Sequence, residues 1–139
     1  AEISVPAVGQ GALAIEVRAD DPATRALLAG IDHAPSRACV ESERAFLAAL
    51  GGDCHTPLAG HAQLVDEGRR LRFDGWVGSV DGKDHIRGSH DAWRDTRPLA
   101  ETARDVAQEV ANTLLSRGAG AILETAKQSA ARDPRQKSS

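Results

Sequence analysis

Cysteine occurs twice in this 139-residue chain, at Cys39 and Cys54. The second stands in the bare stretch Gly51-Gly-Asp-Cys-His-Thr-Pro-Leu-Ala-Gly60. An inert cysteine ordinarily packs into a core as a small hydrophobe. A thiol among glycines is accessible, and its chemistry would be that of a nucleophile, an attachment point or a loop thiol without a role. The neighbours leave these open. His55 is adjacent but need not point the same way, Asp53 tends to raise the thiol pKa, and no Cys-His-Asn protease signature surrounds the site. A second stretch, Gly9-Gln-Gly-Ala-Leu-Ala14, matches the dinucleotide pattern G-x-G-x-x-G/A, with Asp32 downstream. Its context argues against a nucleotide fold, because that fingerprint follows a strand and opens a helix. Here an alternating segment follows the glycines and helix signals wait until Pro22. Gly-Gln-Gly can still present bare N–H groups to an anionic ligand. Metal-ligand candidates are Cys54, His33, His55, His61, His85 and His90, but no C-x-x-C or H-x₃-H spacing joins them, which argues against a structural zinc.

The elements that position these residues are legible from periodicity. Leu13, Ile15 and Val17 alternate with Ala14, Glu16 and Arg18, the pattern of a strand with one buried face. Asp20-Asp21-Pro22 opens a helix to about Ala29, with Leu27, Leu28 and Ile31 expected inward. Ser36 to Leu50 reads as a second helix with Cys39, Val40, Phe46, Leu47 and Leu50 on its stripe and Gly51 as its left-handed cap. On that stripe Cys39 is expected to be a packed, inert thiol. Residues 58–66, 70–80 and 83–90 read as an antiparallel meander, with Asp81-Gly82 as a hairpin signal. Arg97 to Arg117 is a helix with Leu99, Ala103, Val106, Val110 and Leu114 on one stripe, Asp95 or Thr96 as cap and Gly118 as stop. A last helix covers about 119–131, and the polar tail 133–139 is expected to be disordered. The fold class is therefore α+β: a three-stranded antiparallel sheet packed by three to four helices and preceded by a lone strand. That strand, residues 1–18, lacks a partner here, and its backbone groups need one.

Composition narrows the function classes. Net charge is −3 with no basic block, which argues against nucleic acid as main partner. Aromatic residues are 3% of the chain, too few for a base-stacking surface. No apolar run approaches the roughly 20 residues that span a bilayer. The first residues lack a basic n-region and a long apolar segment, so a cytoplasmic location is expected, in keeping with two cysteines that make no disulfide framework. The chain contains no methionine and opens directly into apolar alternation, which removal of an initiator before Ala1 would explain, as would a piece cut from something longer.

Four segments, in order, resemble one family. Val5-Pro-Ala-Val-Gly-Gln-Gly-Ala-Leu-Ala-Ile-Glu-Val-Arg18 resembles the PAVGQGAxxIE-R segment of hydroxymethylbilane synthases, also called porphobilinogen deaminases. Glu43-Arg-Ala-Phe-Leu47 resembles the family's ERAFL helix, and Gly51-Gly-Asp-Cys-His-Thr-Pro-Leu58 its GGC-x-x-P loop. Leu114-Leu-Ser-Arg-Gly-Ala119 with Ile122-Leu123 resembles the closing LL-x-x-GA-x-x-IL. Together they span about residues 5–124.

The resemblance implies that Cys54 carries a dipyrromethane cofactor through a thioether. It implies that Gln10, Gly11, Leu47 and Thr56 lie against that cofactor. The complete enzyme would join four porphobilinogen units with loss of ammonia and release a linear tetrapyrrole, hydroxymethylbilane, for heme biosynthesis. It would act as a monomer, with no nucleic acid or membrane partner. Residues 1–18 would return to a first domain, 19–132 would form the cofactor-attachment domain, and 133–139 a tail. The catalytic aspartate and the anion-binding lysines and arginines of the family belong to domains not on this chain. The isolated chain is accordingly expected to be inactive, with a free Cys54 thiol and porphobilinogen as substrate only of the full enzyme. Asp53 departs from the family's usual glycine and would mildly repel a polycarboxylate unless it points away. Two rivals have different signatures: a non-enzymatic ligand-binding or regulatory module would survive Cys54→Ser, and a thiol-redox protein would need a low thiol pKa and a resolving thiol.

Overall fold

The structure, a computed structural model, describes residues 4–53 and 55–132. The tail 133–139 and residues 1–3 of the expected first strand lie outside the described residues. The elements run α1 (Pro22–Leu28), α2 (Ala34–Ala49), β1 (Leu58–Val65), β2 (Arg70–Gly78), β3 (His85–Trp93), α3 (Leu99–Ser116) and α4 (Ala119–Arg132). The sheet order is β1-β2-β3, both pairs antiparallel, which is the expected α+β meander.

Alternation along β2 decides where the core forms. Leu71, Phe73 and Val77 are fully buried, while the intervening Arg70, Arg72 and Trp76 lie on the opposite face. α2 and α3 cover the apolar face. Phe46 of α2 and Val106, Val110 and Leu114 of α3 complete the core. Phe46 packs on Phe73 with ring centroids 5.0 Å apart, within the range of favourable tilted aromatic pairs. The ring lies over the cross-strand pair Gly60 and Gly75, where a Cβ would come within 3.0 Å of it. Side chains at those two positions would push α2 off the sheet. The two helices approach closely through small residues, and the Ser42 hydroxyl donates to the Ala103 carbonyl at 2.6 Å. Gly51, at φ +60°, ends α2 in the left-handed conformation that glycine adopts without strain.

β1 is an edge strand, and its free side is covered by residues 4–12. The Gly60 N–H donates to the Pro6 carbonyl at 3.2 Å, and Val8 packs against the core. This arm runs in the same direction as β1, since Val5 shares a cavity with Ala59 while Gln10 to Ala12 share another with Ala62 and Leu64.

Four expectations change. Residues 12–18 form no strand, and Leu13 and Ile15 are 98% and 59% exposed. Among the described residues no neighbouring strand reaches them to supply a hydrogen-bonded ladder, and the alternating side chains have no layer to enter. α1 buries no residue, and Leu27 and Ile31, expected inward, are exposed, because α1 packs only against the 13–17 segment rather than the core. Leu28 alone of the three is half-buried. α3 begins at Leu99 behind Pro98 with no side-chain cap, and the Asp95 carboxylate is taken instead by the Arg97 N–H and guanidinium. β3 starts two residues later than expected and runs three further, to Trp93, opposite Arg70.

Candidate functional site

The segment after α2 is a short loop built on hydrogen bonds around its acid. The Asp53 Oδ1 accepts from the Thr56 hydroxyl at 2.8 Å and from the His55 N–H at 2.9 Å. The Asp53 N–H donates back to the Thr56 Oγ1 at 2.8 Å, and the Thr56 N–H donates to the Asp53 carbonyl. These donors hold the Asp53 carboxyl below its usual range, with the Thr56 hydroxyl first and the His55 N–H next. The carboxylate oxygen is thus folded into the loop. Cys54, between these two residues in sequence, lies outside the described residues.

The base of the loop is close-packed. A Cβ at Gly52 would stand 2.7 Å from Leu58 Cδ2, 2.8 Å from Leu47 Cδ1 and 3.4 Å from Thr56 Cβ. Leu47 and Thr56 therefore meet at Gly52, on the two walls of the loop. Lys127 of α4 reaches the same place, its Nζ 3.7 Å from a Cβ built at Gly51. An ammonium there faces the negative end of α2, which carries no basic residue in its own last turn.

Gln10 and Gly11 lie apart from this loop, beside the first half of α2. They sit in a turn closed by Gln10 N–H to Ala7 carbonyl and Ala12 N–H to Gly9 carbonyl bonds, with Gly9 and Gly11 at φ +70° and +84°. The turn lines a cavity of about 340 Å³ with Pro35, Ser36 and Cys39. From Cys39 to Ala49, the last residue of α2, the helix rise amounts to about 15 Å. The structure brings Leu47 and Thr56 together and sets Gln10 and Gly11 beside the first half of α2.

Cys39 is half-buried rather than fully packed. Burial pushes its thiol pKa up, the nearby Glu43 carboxylate pushes it further, and a backbone hydrogen bond from Leu64 opposes both. That is the direction of an unreactive thiol.

One residue stands in a motif without a role assigned to it. Glu43, on the apolar side of α2, is 6% exposed. Its Oε2 accepts from the Gly9 N–H at 2.7 Å and its Oε1 from the Ala62 N–H at 3.0 Å, with His61 Nδ1 3.5 Å away. A carboxylate at a buried helix position three residues before Phe46 was the available signal, since buried acids persist only where donors meet them. The histidines are dispersed: His33 contacts Ser36, and His85 stacks on Trp76. Among the described residues no three His, Cys, Asp or Glu side chains are grouped to hold a metal ion, and no helix is long and apolar enough to cross a membrane.

Comparison with known proteins identifies the surroundings of this loop. Residues 37–116 of the 139 match the family described as porphobilinogen deaminase, C-terminal domain. A porphobilinogen deaminase of Sphingopyxis alaskensis is 54% identical over 87 residues, 63% of this chain and 27% of that protein. One from Brevibacillus brevis is 46% identical over 122 residues, 88% of this chain and 37% of the relative. One from Nitratidesulfovibrio vulgaris is 41% identical over 129 residues, 93% of this chain and 39% of the relative. The chain thus spans less than two fifths of the relatives it matches. With the matched region extending from the start of α2 to the end of α3, through the whole sheet and the loop, the chain belongs to the porphobilinogen deaminase C-terminal domain family.

Proposed function

We propose that this chain is the cofactor-carrying C-terminal part of a hydroxymethylbilane synthase, with Cys54 as the attachment point of a dipyrromethane. The observation that carries the proposal is the family match over a loop whose backbone is braced on both sides of position 54. The residues present fit such a group. Gly52 leaves no room for a side chain at the loop base, and Asp53 spends its carboxylate inside the loop. Asp53 itself stays exposed, and its lowered pKa keeps it ionised, so the mild repulsion expected of it toward a polycarboxylate stands.

When bound, that group supplies the primer pyrrole to which porphobilinogen is joined with loss of ammonia. The chain's own part is to hold and position. A thioether at Cys54 resists the hydrolysis that would free a tetrapyrrole. Leu47 and Thr56 fix the loop against α2, and the Gln10–Gly11 turn, whose Gln10 and Ala12 N–H groups close the turn itself, offers the Gln10 side-chain NH₂ and the Gly11 N–H to carboxylates. The acid/base and anion-binding groups are supplied by sequence outside this chain, as are the surfaces that close the cleft. The whole protein is a cytoplasmic monomer acting on porphobilinogen. Residues 1–18 extend toward its first domain, 19–132 form the attachment domain and 133–139 its tail.

The test is a fusion of this chain behind the N-terminal two thirds of the Brevibacillus brevis relative. The fusion should consume porphobilinogen, Cys54→Ser should abolish turnover, and the chain alone should be inactive. Turnover by the chain alone, or by the Cys54→Ser fusion, would overturn the assignment.

A further inference from the structure

The Glu43 carboxylate joins two parts of the molecule that the sequence keeps apart. One oxygen receives the Gly9 N–H at 2.7 Å and the other the Ala62 N–H at 3.0 Å. The two oxygens thus take backbone donors from two separate segments, and removing either acceptor leaves a buried (Ala62) or part-buried (Gly9) N–H unpaired. The arm that bears Gly9 has few other ties to the sheet: the Gly60–Pro6 hydrogen bond and the packing of Val8. Glu43 also stands one helical turn before Leu47, whose Cδ1 lies against the loop base at Gly52. α2 is thus a rigid rod with the Gln10–Gly11 turn fixed through Glu43 and the Cys54 loop fixed through Leu47. On the described residues, no other side chain bridges the arm to α2 by a hydrogen bond.

We propose that Glu43 is a positioning residue for the Gln10–Gly11 turn, setting its place relative to the cofactor loop. The role in catalysis rests on the function proposed above; the positioning itself does not. Glutamine can accept from only one of the two N–H groups, since its amide nitrogen is a donor. Glu43→Gln should therefore free one of the two N–H groups, Gly9 or Ala62, and keep the fold, and Glu43→Ala should free both.

The first arm uses this chain alone and native-state hydrogen exchange of its backbone amides. In Glu43→Ala the Gly9 amide should exchange roughly tenfold faster or more, and in Glu43→Gln the Gly9 or the Ala62 amide should, while Asp53 and Thr56 keep their wild-type rates. Rates unchanged at both Gly9 and Ala62, or a loss of protection shared equally by Asp53 and Thr56, would overturn the proposal. Should Glu43→Ala fail to fold, the glutamine variant decides alone. The second arm uses the fusion described above. Glu43→Gln and Gln10→Ala should each raise KM for porphobilinogen with little change in kcat, and the double variant should raise it no further than one of them. Additive effects would overturn the coupling. If the wild-type fusion is inactive, the function proposed above fails while the exchange result still decides the positioning.

Discussion

Gly52→Ala is the substitution that most sharply probes how the loop is built. Gly52 is outside the left-handed region, so space alone is at issue. Its new methyl would lie 2.7 Å from Leu58 Cδ2 and 2.8 Å from Leu47 Cδ1, about an ångström inside ordinary contact. Both opposing atoms are the ends of leucine side chains that can rotate, which places the strain at the low end of the 1–3 kcal/mol typical of overpacking, about 1.5 kcal/mol. Replacing glycine also restricts the unfolded chain, which returns about 0.5 kcal/mol. The net loss is about 1 kcal/mol, or roughly 4 °C in melting temperature for a chain of this size. Thermal denaturation followed by circular dichroism reads it. The mechanism makes a second demand. Leu47→Ala removes one of the two opposing methyls, so the double variant should be more stable than the sum of the single effects by about 0.5 kcal/mol or more. A melting temperature unchanged by Gly52→Ala, or strictly additive single effects, would refute the packing argument.

The Thr56 hydroxyl and the His55 N–H hold the Asp53 carboxyl low, so the folded chain binds that proton less readily than the unfolded one. Their contribution is present above the ordinary value of 3.8 and is lost as pH falls through the lower folded value, so the Thr56 amide resonance should titrate there and stay flat in Asp53→Asn. Cys39 has its pKa raised, chiefly by burial and then by Glu43, so its neutral form is favoured in the fold. That contribution is complete below 9.0 and is lost as pH rises through the raised value. In a Cys54→Ser chain, iodoacetamide should modify Cys39 at least about tenfold more slowly in buffer than in urea, and equal rates would contradict its burial. The turn between β1 and β2 places Asp66 and Glu67 at φ 52° and 58°, unfavourable for residues with a Cβ. Glu67→Gly should stabilise the chain by about 1 kcal/mol, seen as a higher melting temperature, and a lower one would show that Glu67 has a compensating contact.

Much of this fold is written in local pattern. The α3 stripe is buried from Ala103 through Val106 and Val110 to Leu114, with Leu99 half-buried at its start, because the 3.6-residue period keeps these side chains on the one face turned to the core. The meander was legible because β2 alternates and turn residues separate the strands. What local pattern misses is a partner. Leu13, Ile15 and Val17 have a strand's alternation, yet with no adjacent strand they line an open groove with Leu28 and Ile31. Periodicity reports which face is apolar, not whether anything covers it. The site divides in the same way. The glycines and Thr56 of the loop stand in one short motif, whereas Glu43 acts on Gly9 and Ala62, 34 and 19 residues away. A buried acid's donors are set by tertiary packing, and nothing in its flanking residues names them.

The most direct measurement is intact mass under denaturing, reducing conditions, followed by peptide mapping, on the chain alone and on its fusion to a relative's N-terminal two thirds. The fusion should carry the added mass of two linked pyrrole units on the peptide containing Cys54, and the chain alone should carry an unmodified thiol. A fusion that turns over porphobilinogen with Cys54 unmodified, or with the group on any other residue, would contradict the assignment of Cys54 as the attachment point.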